Sequence, residues 1–212
     1  LLDALPRVRT AMLPPFMDTA TTGFLDPAPQ PGRLVTVAMM RQGNKLDSYR
    51  MLSEALRRLL DLEWTLDIVG DGPLRAEVEA AFEGFPPGRV TFHGLKRREE
   101  VAQLLSMGAI FLWPGCREAY GLSYLEAEAA GLPVVGQADG GVPEVVVDGR
   151  TGILTPTGDL GAYCAAIRLL LSDDRERARL ASGARVFALQ ERSFETAARR
   201  LADLLQQATG GQ

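Results

Sequence analysis

Near-continuous apolar runs rich in branched residues recur at residues 34–39, 64–69, 90–92, 109–113 and 132–135. Each reads as a strand buried on both faces. Between them the apolar positions fall at helical spacing. Tyr49, Leu52, Leu56, Leu59 and Leu60 form one stripe, and Leu74 and Val78 begin a second behind Pro73. Val101, Leu104 and Leu105 mark a third, and Leu122, Leu125, Ala129 and Ala130 a fourth. Pro73 suits a first helical residue, and Asp47 or Ser48 suits the cap of the first helix. From Asp159 onward the pattern is helical, through Tyr163, Ile167 and Leu170, then residues 178–189, then residues 194–205, with Asp173 and Asp174 reading as a cap. Strand and helix alternation predicts an α/β fold, a Rossmann-like open parallel sheet with helices on both faces and a helical C-terminus.

Residues 12–31 break this rhythm. Pro14, Pro15, Pro27, Pro29 and Pro31 lie among few periodic apolar residues, as in an extended connector. The expected organisation is therefore a connector over residues 1–31 and one domain over 32–212. With 46% hydrophobic residues in 212, the chain can build a substantial core. A net charge of −4 argues against the broad basic face that nucleic acid needs. No apolar run reaches the ~18 residues of a membrane span and no leader opens the sequence, so a soluble, cytoplasmic chain is expected. Two cysteines and one histidine make a disulfide framework or a Cys/His zinc site unexpected.

In an open parallel sheet, ligands sit at the carboxyl ends of the strands, which directs attention to residues 40–47, 70–73, 93–97, 114–121 and 136–141. In the fourth of these loops Glu118 is followed by Gly121 and by a helix starting at Leu122, whose first amides suit a phosphate. Glu126 falls one turn later, roughly 6 Å along the axis. Two carboxylates so placed could accept hydroxyl groups on either side of a bound diphosphate. The plainer alternative makes Glu118 a helix cap and Glu126 a solvated flank residue. Periodicity does not choose between Glu126 and Glu128, which flank the apolar stripe on opposite sides. Arg41 and Lys45, after the first strand, could neutralise a diphosphate or could be solvated cations. Gly70-Asp-Gly72 fails the dinucleotide fingerprint because Arg75 stands where a third Gly is needed, and reads instead as a tight turn. His93 reads as a loop residue, while Gly140 and Gly141 permit a close backbone approach, to a ligand or within a turn. Neither Asp-x-Asp, nor a P-loop, nor Gly-x-Ser-x-Gly occurs, so cationic side chains must supply any phosphate charge.

Taken in order, Leu66-Asp-Ile-Val-Gly-Asp-Gly-Pro-Leu74, Val90-Thr-Phe-His-Gly94, Pro114, Glu118-Ala-Tyr-Gly-Leu-Ser-Tyr-Leu-Glu126, Ala130-Gly-Leu-Pro-Val-Val135, Gly140-Gly-Val-Pro-Glu144 and Asp148-Gly-Arg-Thr-Gly152 form a collinear set. The set resembles the C-terminal, donor-binding half of the retaining GT-B glycosyltransferases of family four. That resemblance implies a nucleotide-sugar donor, UDP- or GDP-linked, and no metal or other cofactor. It implies that Glu118 contacts the transferred sugar and Glu126 the ribose, that Arg41 and Lys45 lie on the diphosphate, and that backbone at Gly121 and Leu122 approaches the phosphates. The backbone around Gly94 and Leu95 is expected at the base. Residues 11–31, with Leu13-Pro-Pro-Phe-Met-Asp18, look like the family's connector from an N-terminal domain. That domain would contribute the acceptor site, for a saccharide, lipid or other small molecule, with peripheral membrane association of the full-length protein left open. The competing readings are a non-catalytic nucleotide-sugar-binding module and a nucleotide-sugar epimerase.

Overall fold

A computed structural model describes residues 10–19 and 25–209. Six parallel strands form one sheet: β1 (Arg33–Val37), β2 (Thr65–Val69), β3 (Val90–Gly94), β4 (Ile110–Leu112), β5 (Val134–Gln137) and β6 (Gly152–Thr155). Their order in space is β3-β2-β1-β4-β5-β6. Five of them fall on the apolar runs; β4 and β5 are buried throughout, as strands covered on both faces should be, whereas β3, at the sheet edge, buries only Gly94 and so corrects the expectation of a buried strand there. The sixth was not anticipated. Gly152-Ile-Leu-Thr155 is too short and too mixed to stand out, yet it pairs residue by residue with β5. Gly152 is required there, since a Cβ would lie 2.2 Å from the Val134 carbonyl oxygen.

Among the described residues four α-helices connect strands, α1 (Asn44–Arg57), α2 (Arg75–Ala81), α3 (Arg98–Met107) and α4 (Leu122–Ala129), and three follow β6: α5 (Leu160–Ser172), α6 (Asp174–Val186) and α7 (Phe194–Thr209). One layer is built on α1, which packs against α2 and α5; the other on α4, which packs against α6 and the π-turn Phe187–Glu191. Asp159 and Asp173 cap α5 and α6 by accepting from the Ala162 and Glu176 amides at 2.8 and 2.9 Å. Other end signals differ from expectation. Helix α1 begins at Asn44 behind Gly43, so Asp47 and Ser48 both sit inside the helix; the Ser48 hydroxyl donates to the Asn44 carbonyl at 2.8 Å. Helix α2 begins at Arg75, leaving Pro73 outside it. The helix expected over residues 178–189 ends at Val186 and widens into the π-turn.

The chain lays β1, β2 and β3 outward on one side and then returns to place β4 on the other side of β1. The strand order therefore reverses between β1 and β4, and a crevice opens there at the carboxyl edge. Beneath it the core is aromatic. Tyr49 and Trp113 meet edge to face with centroids 4.9 Å apart, and Phe111 and Tyr124 do so at 5.8 Å. All four are fully buried, and the Tyr49 and Tyr124 hydroxyls are satisfied by the Ala38 and Trp113 carbonyls at 2.8 and 3.0 Å. Of the expected connector, residues 1–9 and 20–24 lie outside the described residues. Met17 bridges to Ser193, and the Ala28 and Gln30 amides donate to the Ser106 and Met107 carbonyls. Among the described residues no helix is long and apolar enough to cross a membrane.

Candidate donor-binding cleft

The loop after β4 is a rigid shelf held from three directions. Its Cys116 amide donates to the Ser48 hydroxyl at 3.0 Å, and its Arg117 amide to Asp139 at 2.8 Å. Arg117, at φ 48°, sends its guanidinium to Asn44 and Asp47 on α1 at 3.0 and 2.6 Å. The Gly140-Gly141 pair closes the third side. A Cβ on Gly141 would stand 1.6 Å from the Ala119 carbonyl oxygen, and the Gly141 amide donates to the Glu118 carbonyl at 2.8 Å. These glycines thus serve a close approach of backbone to the shelf. Gly70 and Gly72 do the same for the neighbouring loops: a Cβ on either would fall 2.0 and 2.2 Å from the Ala38 and Met40 carbonyls.

On that shelf, Glu118 and Lys45 form an ion pair whose two side chains are each 13% exposed. Trp113 Nε1 donates to the same Glu118 oxygen, Oε2, at 3.3 Å, and Lys45 Nζ stands 5.3 Å from the indole centroid. Glu118 therefore does not cap α4. Among the described residues its Oε1 has no hydrogen-bond partner, and Lys45 keeps donors beyond the one given to Glu118. Gly121, at φ 73°, turns the chain into α4, and no side chain caps the helix. A Cβ there would press to 2.7 Å from the Tyr124 ring. The opening amides of α4 face the crevice with the positive end of the helix dipole.

Arg41, Lys45, Glu118, Gly121, Leu122 and Leu95 line a single cleft of ≈ 440 Å³. Arg41 has no hydrogen-bonding or ionic partner among the described residues. Leu95 is 83% exposed there, whereas Gly94 lies behind it, its carbonyl accepting from the Gly70 amide at 2.9 Å. An adjoining pocket of ≈ 240 Å³ shares Val37, Lys96 and Val101 with the cleft and has Glu126 in its wall. Burial raises the Glu126 carboxyl above its ordinary value, against the opposing charge of Arg98. Glu128 points the other way and is fully buried, with neither carboxylate oxygen hydrogen-bonded. Burial pushes its acid well up, opposed in part by the Thr151 hydroxyl and the charges of Arg192 and Arg150. His93 belongs to β3 and not to a loop. Its Nε2 lies 2.6 Å from Asp67, which also accepts from Arg33 Nε at 2.6 Å, so it ties three adjacent strands together. Among the described residues no group of three or more His, Cys, Asp or Glu side chains gathers as a metal set would.

The structure thus brings Glu118, Arg41, Lys45, Gly121 and Leu122 to one cleft and Glu126 to its extension. Sequence reasoning missed Trp113, Lys96 and Arg98. A tryptophan ending an apolar strand reads as core, which Trp113 also is; Lys96 precedes α3 and Arg98 is its first residue, and nothing in the sequence sets either apart from the charged residues around it.

Comparison with known proteins identifies the family and the fold. Residues 31–173 match the model of the family described as glycosyl transferases group 1. A D-inositol 3-phosphate glycosyltransferase from Xylanimonas cellulosilytica is 32% identical over 95% of this chain and 52% of its own. A GDP-mannose-dependent phosphatidylinositol monomannoside mannosyltransferase from Mycolicibacterium smegmatis is 36% identical over 74% of this chain and 42% of its own. The chain thus spans about half the length of these relatives. Among solved structures, the sucrose-phosphate synthase of Thermosynechococcus elongatus superposes with a TM-score of 0.77 at 24% identity, covering 96% of this chain and 54% of that one. The chain belongs to the glycosyl transferases group 1 family and has the fold of a GT-B C-terminal domain.

Proposed function

We propose that the cleft binds a nucleoside-diphosphate sugar, and that the whole protein transfers the sugar to a saccharide, lipid or other small-molecule acceptor with retention and without a divalent metal. The observation that carries this reading is the convergence of Arg41, Lys45, Glu118 and the uncapped start of α4 on one cleft at the strand-order reversal. The diphosphate lies over the α4 amides, which need an acceptor. Arg41 and Lys45 face the phosphate that departs with the nucleotide; as the glycosidic bond lengthens, negative charge grows on its oxygens and these cations stabilise it. The Glu118–Lys45 pair has a physical use here. It fixes the ammonium without consuming all its donors and turns the free Glu118 oxygen toward sugar hydroxyls. Glu126, one turn along α4, accepts from the ribose. Front-face attack by the acceptor accounts for retention without a protein nucleophile. Domain assignment follows: residues 32–212 hold the donor, residues 1–31 lead from an N-terminal domain, and that domain brings the acceptor.

The reading has support from relatives whose names describe glycosyl transfer, and from the mannosyltransferase named as GDP-mannose-dependent. Titration calorimetry with UDP- and GDP-sugars tests it. At least one such donor binds, and Glu118→Ala lowers affinity for the nucleotide sugar by about 1.5–3 kcal/mol, the range for a hydrogen bond to a charged group, while the bare nucleotide loses far less. Equal losses for both ligands would contradict the assignment of Glu118 to the sugar.

A further inference from the structure

The loop that carries Glu118 holds a backbone outlier. Among the described residues Arg117 is the only one other than glycine at positive φ, 48°, and it stands immediately before Glu118. A side chain in that conformation is strained, and it persists where its surroundings fix it from several directions. They do so here. The Arg117 amide donates to Asp139 at 2.8 Å, and its carbonyl accepts from Asn44 Nδ2 at 2.9 Å. Asn44 Oδ1 in turn accepts from Arg117 Nε at 3.0 Å, so one side-chain amide holds residue 117 by its backbone and by its side chain at once. Asp47 accepts a further bond from the guanidinium at 2.6 Å. Arg117 and Asp47 are 66% and 42% exposed, and ion pairs so open to water add little to stability. Their placement is more telling. Asn44 and Lys45 are consecutive on α1, Arg117 and Glu118 are consecutive on the shelf, and 44 meets 117 as 45 meets 118. Neither Asn44 nor Arg117 lines the cleft itself.

We infer that Asn44 is a positioning residue, which through Arg117 sets where the Glu118 carboxylate stands. The inference rests on the proposed donor site, in which Glu118 meets the sugar. With Asn44 in place, the turn at Arg117 delivers Glu118 to Lys45 and to Trp113 Nε1 and leaves Oε1 for the ligand. Without it, residue 117 loses both bonds of the amide and relaxes toward negative φ, which turns Glu118 away from that position. Lys45 and the first amides of α4 are placed by their own helices, so the phosphates keep their partners.

Two measurements on the 212-residue protein test this. The indole N–H resonances report on Glu118 without any ligand, because of the two tryptophans Trp113 donates to Glu118 at 3.3 Å and Trp64 to the Leu59 carbonyl at 2.8 Å. In Asn44→Ala the Trp113 signal should move toward its position in Glu118→Ala, while the Trp64 signal holds still. Titration with UDP-glucose, GDP-mannose, UDP and GDP reports on binding. Asn44→Ala should weaken whichever nucleotide sugar binds by about three- to tenfold, the scale of coupling within one hydrogen-bonded network, and leave the matching bare nucleotide within about twofold. In a Glu118→Ala background the same substitution should have no further effect on the nucleotide sugar, because the residue it acts through is gone. A Trp113 signal that does not move in Asn44→Ala, equal losses for sugar and nucleotide, or an undiminished loss in the Glu118→Ala background would overturn the role of Asn44 while leaving the donor site standing. Failure of all four ligands to bind would overturn the donor site instead, and the indole signals would still decide whether Asn44 places Glu118.

Discussion

Glu126 and Glu128 lie two residues apart on α4 and live in opposite environments. Successive helical residues are rotated by about 100°, so the pair must diverge by roughly 200°. Glu126 looks toward α3 and a pocket with two cations at its edge. Glu128 looks toward α6, the π-turn and Thr151, fully buried, with both oxygens lacking a hydrogen bond. One carboxylate stands in a pocket wall and the other is shut into the core. The difference teaches that an acidic residue on the helix beside the cleft need not face the cleft; what packs on each side of the helix decides.

The largest expected effect is on binding. Glu126→Ala should weaken the nucleotide by about 1.5–3 kcal/mol, on the order of 10- to 100-fold, measured by calorimetry. Thermal unfolding should change little, because the side chain is half-buried at a cleft wall and gives no hydrogen bond to the core. Glu128→Met should do the reverse. Replacing an unpartnered buried acid by an apolar chain of similar length should stabilise the fold by about 1–3 kcal/mol and raise the melting temperature, with nucleotide affinity unchanged. A loss of affinity in Glu128→Met comparable to that of Glu126→Ala would erase the contrast.

A smaller effect concerns pH. The Glu128 acid is raised in the folded state, so between the unfolded carboxyl value of about 4.3 and the raised folded value the folded protein holds the extra proton. Stability from this group is complete below that window and is lost as pH climbs through it. Melting temperatures measured from pH 5 to pH 9 should therefore fall more steeply for the unmodified protein than for Glu128→Met. Parallel curves would show that the charges of Arg192 and Arg150 fully offset the burial of Glu128. Smallest is Arg117→Ala, which removes the exposed bonds to Asn44 and Asp47 and should cost about 1 kcal/mol of stability while loosening the shelf under Glu118.

Much of this was legible in the chain. Five strands followed from apolar runs, four of them because burial on two faces leaves a compositional mark and the edge strand β3 from its branched and aromatic residues alone, and the capping of α6 followed from Asp173. The sixth strand was not, since four residues starting with Gly152 carry no such mark and are defined by pairing to β5. Arg41, Lys45, Glu118 and Gly121 could be named because loops after parallel strands converge on one edge. Their mutual arrangement could not. The Lys45–Glu118 pair joins residues far apart in sequence, and no local rule foresees that the carboxylate would lie between an ammonium and the Trp113 indole. Periodicity likewise separated Glu126 from Glu128 without saying which faced the cleft, because that depends on α3 and α6 arriving on opposite sides.

Amide chemical shifts followed during titration with UDP and GDP give the most direct test of a diphosphate seated on α4. Leu122 and Ser123 should shift most, joined by residues 41–45 and Glu126, with saturation at one common concentration. Perturbations confined to other edges of the sheet, or amides at 122 and 123 that stay still while the nucleotide binds, would contradict the account.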